Sequence, residues 1–260
     1  MSNKPRILIL DIETAPLLAS VWRIWDENIG LNQINSDWHL LSFSAKWVGE
    51  KTIIYEDQSK AKRIEDDTRL LKVVHALLCE ADIVVAHHGK KFDLPKLNAR
   101  FITNGFEPPS PYKIVDTREV AAKTFGFTSN KLEFLSSVLC TKKKLAHRKF
   151  AGFELWKQCL AGNAAAWAEM KKYNIRDVEA LEELYLKFRP WQQTGSPNFS
   201  VFNDSEVEQC PKCGSENMHR NGFVCLAVGK YQRFKCGDCG AWARSGILEN
   251  TPEKRKSTLR

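Results

Sequence analysis

Residues 6–12 form an apolar run, unbroken from Ile7 to Leu10, that closes on Asp11 and Glu13. An alternating strand can leave one face in water, whereas a strand without alternation needs cover on both faces. The segment therefore predicts a central strand in a layered α/β fold. Apolar stretches at 40–48, 52–56, 83–87 and 113–115 predict its companions. Helical spacing of Leu70, Leu71, Val74, Leu77 and Leu78 marks a helix over 64–79, and Pro95, near a first helical turn, opens another over 94–104. Segments 116–124, 130–139, 152–160 and 163–188 also read as helices.

The chain has 260 residues, 43% of them hydrophobic, enough for one domain of ordinary size and a smaller one. Lys and Arg outnumber Asp and Glu by 39 to 31, and the net charge of +8 suits a partner with a phosphate backbone. The N-terminal apolar run is short and meets an acid at once, so it lacks a signal-peptide core. No stretch approaches the roughly 20 apolar residues of a membrane span. The expected setting is cytoplasmic and reducing, without a membrane partner.

Composition shifts where Pro190, Gly195, Ser196, Pro197, Asn198 and Asn203 crowd a stretch without periodicity. The boundary is placed there: a first domain over 1–190, a linker over 191–207, a small module over 208–248, and a basic polar tail over 249–260. The tail, with Lys254, Arg255 and Lys256, is expected to be disordered.

The small module contains Cys210-Pro211-Lys212-Cys213-Gly214 and Cys236-Gly237-Asp238-Cys239-Gly240, two C-x2-C-G knuckles separated by 22 residues. In a reducing compartment such pairs read as metal ligands rather than disulfides. Four thiolates fill the tetrahedral shell of one structural Zn²⁺ and leave no open position. A piece this small has too little core to fold alone, so the metal would supply the missing stability. His219 and Cys225 could serve as substitute ligands, though beside the paired knuckles they read as bystanders, and Cys79, Cys140, Cys159 and Cys225 read as small core residues. Between the knuckles, Arg220, Lys230, Arg233 and Lys235 mix with Phe223, Tyr231 and Phe234, and Trp242 and Arg244 follow. Cations among aromatics can grip a nucleic-acid strand. Alternatively the aromatics fill the core.

Three acidic motifs remain. Asp11-Ile12-Glu13-Thr14 ends the first strand, and a period of two points Asp11 and Glu13 to one side. Asp93 closes His87-His88-Gly89-Lys90-Lys91-Phe92-Asp93, between a strand and a helix, with Phe92 expected to wedge into the core. Tyr173 and Asp177 share a helix face at i, i+4 in Tyr173-Asn174-Ile175-Arg176-Asp177. Each motif alone is weak, because acids often end strands or start helices.

In content and order, D-x-E-T, F-D and Y-x3-D together resemble the DEDDy 3′→5′ exonuclease family over residues 5–190. Asp11–Pro16, the Trp-rich 22–47 stretch and Leu155–Pro190 look most similar to phage-encoded DnaQ-like members. The resemblance implies a ribonuclease H-like mixed five-stranded sheet flanked by helices. It implies two Mg²⁺ or Mn²⁺ ions, with Asp11 bridging both, Glu13 and Asp177 completing the nucleophile-side site, and Asp93 holding the second. Tyr173 would orient the attacking water. Thr14, His88, Lys90, Lys91 and Arg233 would meet the substrate. Many members have Asn where His88 stands, which puts the tuning of activity in doubt.

The C-terminal module resembles zinc ribbons of transposases and transcription factors. The implied partner is nucleic acid, DNA in preference to RNA. No segment reads as a polymerase, so a proofreading role would act in trans with a replication or recombination protein. An RNA-directed exonuclease and a catalytically silent nucleic-acid-binding protein on the same fold are the alternatives. The basic run Lys142-Lys143-Lys144, with His147, Arg148 and Lys149, could touch a backbone but reads more simply as a solvated face. Trp22, Trp25, Trp38 and Trp47 read as core.

Overall fold

The computed structural model describes residues 4–143, 149–192, 195–202 and 204–259. The chain divides into two compact units, Arg6–Tyr185 and a second that joins the residues from Leu186 onward to those before Arg6. Among the described residues, no helix is long and apolar enough to cross a membrane. Lys144, His147, Arg148 and Asn203 lie outside the described residues.

In the first unit the chain runs through β1 (Ile7–Thr14), β2 (Leu18–Ala19), β3 (Ile34–Ser36), β4 (Leu40–Trp47), β5 (Ile53–Asp57), α1 (Thr68–Glu80), β6 (Ile83–Ala86) and α2 (Asp93–Thr103). It continues through β7 (Lys113–Asp116), α3 (Thr117–Thr124), α4 (Leu132–Leu139), α5 (Glu154–Leu160) and α6 (Ala164–Phe188). The five-stranded sheet has the order β5-β4-β1-β6-β7. β1 pairs antiparallel with β4 and parallel with β6, so the sheet is mixed and β1 is central. The fold is ribonuclease H-like, with helices on both faces of the sheet.

The pleat sorts β1 between two cores. Leu8, Leu10 and Ile12 pack with Leu70, Leu71 and Val74 of α1 and Leu94 and Leu97 of α2. The opposite layer gathers Ala15 and Leu41 with Leu155, Cys159, Trp167, Met170 and Tyr173 of α5 and α6. Asp11 and Glu13, out of phase with Ile12, turn toward that second layer. The pairing with β4 slips between Glu13 and Thr14, so the ladder is irregular where β1 leaves the sheet.

Several sequence expectations are corrected. The helix expected from 64 starts at Thr68, because the fully buried Asp67 is occupied elsewhere. Its carboxylate accepts the Leu40 N–H at 2.8 Å and both arms of the Arg100 guanidinium at 2.7 and 2.9 Å, joining β4 to α2. The short ladder of β2 with β3 was not anticipated, since two or three residues give no readable period. Trp47 is core and Trp38 is half-buried, with the Lys96 ammonium 3.6 Å from its ring centroid. Trp22 and Trp25, however, are 94% and 79% exposed, in a segment between β2 and β3 that is exposed along most of its length. Phe92 is exposed and does not wedge into the core. It takes the position before α2, and the inward place falls to the buried Asp93.

The second unit contains β8 (Met218–Cys225), β9 (Lys230–Cys236) and β10 (Trp242–Leu248) in the order β10-β9-β8, followed by α7 (Pro252–Ser257). Phe199, in the segment read as linker, is buried, and its N–H donates to the Pro211 carbonyl of the first knuckle. The tail read as disordered forms α7. Thr251 caps it by accepting the Lys254 N–H, and Pro252 presets the first turn. Cys140 and Cys159 are core residues, Cys79 is half-buried, and Cys225 is exposed on β8 rather than buried. Phe234 is core, whereas Phe223 and Trp242 remain partly open.

Candidate active site and metal centre

The acids of β1 are approached from two sides. From α2, Asp93 reaches over so that the Ile12 N–H, between Asp11 and Glu13, donates to its Oδ1 at 3.2 Å. From α6, Asn174 donates its side-chain amide to Asp11 Oδ2 at 2.5 Å and to the Asp11 carbonyl at 3.4 Å. The Asn174 side-chain oxygen accepts the Ser42 hydroxyl at 3.4 Å, and Ser42 stands opposite Glu13 in the β1–β4 register. These bonds bring the D-x-E, F-D and Y-x3-D segments to one end of β1. Tyr173 precedes Asn174, and Asp177 follows three residues later; both are buried. Tyr173 meets Trp156 of α5 edge to face, with centroids 6.3 Å apart.

Burial pushes the Asp93 carboxyl up to about 7, against the pull of the Ile12 N–H, and the charge of Asp116 adds to the rise. Burial, then the charges of Asp57 and Glu13, push the Cys159 thiol up to about 12, which places Glu13 on the α5 side of the sheet. The acids supply hard oxygen ligands suited to Mg²⁺ or Mn²⁺. Among the described residues their oxygens do not form a group of three within 4.8 Å of one another.

The loop 87–92 is held by a residue the sequence reading passed over. Buried Asp116 accepts the His88 N–H at 2.9 Å, the Lys90 N–H at 3.2 Å, and the Arg118 and Glu119 N–H groups at 3.0 and 3.3 Å. It therefore caps α3 and clamps the loop together. His88 has φ of 73°, in the left-handed region that Asn tolerates best after Gly. Its ring meets the Arg118 guanidinium, 2.8 Å from Nδ1. At Gly89 an added Cβ would lie 2.3 Å from the Ala86 Cβ, so glycine is required by close approach.

The remaining substrate candidates are dispersed. Thr14 lines a cleft of about 320 Å³ with Ala15, Pro16, Phe153 and Trp156. The Lys90 ammonium is engaged by Glu119 at 2.8 Å, while Lys91 is exposed. Lys142 pairs with Glu179 at 3.4 Å. Arg233 lies in the second unit, its guanidinium 4.8 Å from the Trp242 ring centroid.

A sequence profile of the RNase_H superfamily matches residues 27–189, more than half of the chain. The chain belongs to the RNase_H superfamily. Among solved structures, this RNase_H-superfamily chain is similar to the family B DNA polymerase from the hyperthermophilic archaeon Pyrobaculum calidifontis. The TM-score is 0.53 at 16% identity, covering 77% of this chain and 27% of the polymerase. The similarity is one of fold, and the chain spans about a quarter of the polymerase's length. No curated protein matches.

The second unit holds a tight ligand cluster. The sulfurs of Cys210, Cys213, Cys236 and Cys239 all lie within 4.8 Å of one another, with Cys210–Cys239 at 3.6 Å and Cys213–Cys236 at 3.7 Å. Four sulfurs at about 2.3 Å from a tetrahedral Zn²⁺ stand about 3.8 Å apart, so the cluster fits a zinc ribbon. Burial pushes the Cys210, Cys213 and Cys239 thiols up to about 11. At Cys236 burial also raises the thiol, but N–H groups of Cys239 and Asp238 and the neighbouring thiols outweigh it and bring it to about 7. Asp238 accepts from Ser215 at 2.6 Å and Asn217 at 2.7 Å, linking the two knuckles.

Proposed function

We propose that this RNase_H-superfamily protein is a DEDDy-type 3′→5′ exonuclease that hydrolyses phosphodiester bonds at DNA 3′ ends and releases 5′-mononucleotides. The observation that carries this reading is the pair of bonds at the end of β1, Ile12 N–H to Asp93 and Asn174 to Asp11. DNA is favoured over RNA because the similar solved chain is a DNA polymerase. A replication or recombination protein acting in trans is the proposed partner.

Asp11, Glu13, Asp93 and Asp177 would hold two Mg²⁺ or Mn²⁺ ions. When bound, such ions polarise the scissile phosphate and stabilise its attacking and leaving oxygens. The protein does the positioning. Asn174 fixes the Asp11 carboxylate, and Asp93 must give up its proton before it can serve as a ligand. Tyr173, braced by Trp156, orients the water whose oxygen attacks phosphorus in line. The bond to the 3′ oxygen breaks, a proton shed by the attacking water is balanced by one taken up from solvent at that oxygen, and the mononucleotide leaves with its 5′ phosphate. The Thr14 cleft receives the terminal nucleotide, with Phe153 and Trp156 as its apolar wall. The zinc ribbon holds nucleic acid for the catalytic unit.

The test is incubation of 5′-labelled single- and double-stranded DNA and RNA with Mg²⁺ or Mn²⁺. A ladder shortening from the 3′ side, fastest on DNA, is expected. Intact oligonucleotides, or shortening unaffected by Asp11→Ala, would overturn the reading.

A further inference from the structure

Within the second unit, the turn at Pro190–Gln192, the segment Ser196–Asn198 and the edge of β9 and β10 enclose a groove of about 980 Å³. Its lining includes Trp191, Lys212, Arg233, Trp242 and Arg244 and, among the described residues, no acidic one. Trp191 is 61% exposed and Trp242 48% exposed, so part of each indole is accessible to solvent where it lines the groove.

The strand register explains the charge. Trp242 stands opposite Lys235, and Arg244 opposite Arg233, so a period of two puts all four on one face of the ribbon. Cations flank the rings: Arg233 and Lys235 lie 4.8 and 5.7 Å from the Trp242 centroid, and Arg244 lies 4.4 Å from that of Tyr231. Like charges directly opposite one another across strands are destabilising. Pairing Arg233 with Arg244 at the wall of a groove without acids therefore favours an anionic occupant.

We infer that this groove binds a short single-stranded nucleic-acid segment, with bases stacked on Trp191 and Trp242 and phosphates held by Arg233, Arg244 and Lys212. Solvent-exposed indole surface rewards unpaired bases, whereas a duplex keeps its bases stacked inside and offers only backbone to such a surface. The inference deepens the nucleic-acid reading of the ribbon and rests on it for ligand class only.

The test uses the full zinc-loaded chain without added Mg²⁺ or Mn²⁺, and fluorescence anisotropy of a labelled oligo-dT strand and a duplex of equal length. Single strands are expected to bind more tightly than duplex. Trp191→Ala and Trp242→Ala should each weaken single-strand binding by roughly 5- to 150-fold, the loss of one base–aromatic stack, with substantial rescue by Trp→Phe. Arg233→Gln with Arg244→Gln should make the slope of log affinity against log salt shallower by about 1.4. Zinc retention is measured for every variant, and should a tryptophan variant lose zinc, the arginine pair decides by its salt slope.

Wild-type affinity in zinc-retaining tryptophan variants, equal or tighter duplex binding, or displacement by an oligo-glutamate peptide as readily as by oligo-dT would each overturn the inference. A chain that shortens no oligonucleotide yet shows tryptophan-dependent binding loses the exonuclease reading and keeps the groove. The reverse outcome removes the groove alone.

Discussion

Asn174 of α6 donates to the Asp11 carboxylate of β1 at 2.5 Å, across 163 positions of sequence, while its oxygen accepts from Ser42 of β4. One neutral side chain thus ties the helix carrying Tyr173 and Asp177 to the strand carrying Asp11 and Glu13. Asn174→Ala should cost roughly 1–3 kcal/mol of stability, because it strips buried groups of partners. It should also raise the Mg²⁺ or Mn²⁺ concentration needed for half-maximal activity. Asn174→Asp should be worse than alanine, since it sets a second charge against Asp11. Denaturant melts and metal titrations check both, and an unchanged metal requirement would separate Asn174 from the site.

Asp11→Ala should lower the rate by about 10³-fold or more if bound metals supply several kcal/mol of transition-state stabilisation. Tyr173→Phe should be milder, because positioning is lost but the ligands stay. Single-turnover cleavage of a labelled oligonucleotide measures both, and comparable losses would contradict the division of roles.

The Asp93 carboxyl, raised to about 7 by burial, makes the metal-free protein pH-sensitive. An unfolded aspartate titrates near 3.9, so between about pH 4 and 7 the folded state binds the extra proton. Stability from this group is fully present below that window and is lost as pH rises through about 7. Without divalent cations, Tm should fall over this range, and Asp93→Asn should remove that component of the slope. Added Mn²⁺ should stabilise more at about pH 8 than at about pH 5, because it competes with the proton. A Tm profile identical in wild type and Asp93→Asn would refute the assignment.

Asp116 is not one of the proposed metal ligands, yet four backbone N–H groups converge on it. Asp116→Ala should cost roughly 2–4 kcal/mol, combining a lost helix cap with unsatisfied loop amides. Gly89→Ala should disturb the same loop by contact with Ala86. Hydrogen exchange should show faster amides at His88 and Lys90 in Asp116→Ala, and unaltered protection there would argue against the clamp.

Zinc removal should unfold the ribbon and leave the RNase_H-superfamily unit folded. Binding should release roughly 3 to 4 protons near neutral pH, since three of the four thiols lie far above it. Calorimetry in buffers of different ionisation enthalpy measures the release. A ribbon that keeps its tryptophan fluorescence and its fold under strong chelation would show that the metal is not what holds it.

Local patterns were legible in the sequence. Unbroken apolar residues from Ile7 to Leu10 foretold a covered central strand, and the knuckle spacing foretold the sulfur cluster, because both signals arise between near neighbours. The acids of the three motifs were legible as residue types in order. What escaped depended on partners distant in the chain. Asn174 and Asp116 look like ordinary helix and strand-end polar residues until their distant partners are in place.

Burial was decided in the same way. Phe92 turns outward because Asp93 takes the inward position, and Trp22 and Trp25 lie in a segment that is exposed along most of its length. The sequence by itself determined the five strands of the main sheet and the helices that cover it, which face of β1 is acidic and where four thiols gather. Tertiary structure alone decided which polar groups clamp the site and which aromatics face solvent, since hydrogen bonding and burial are properties of surfaces brought together by folding.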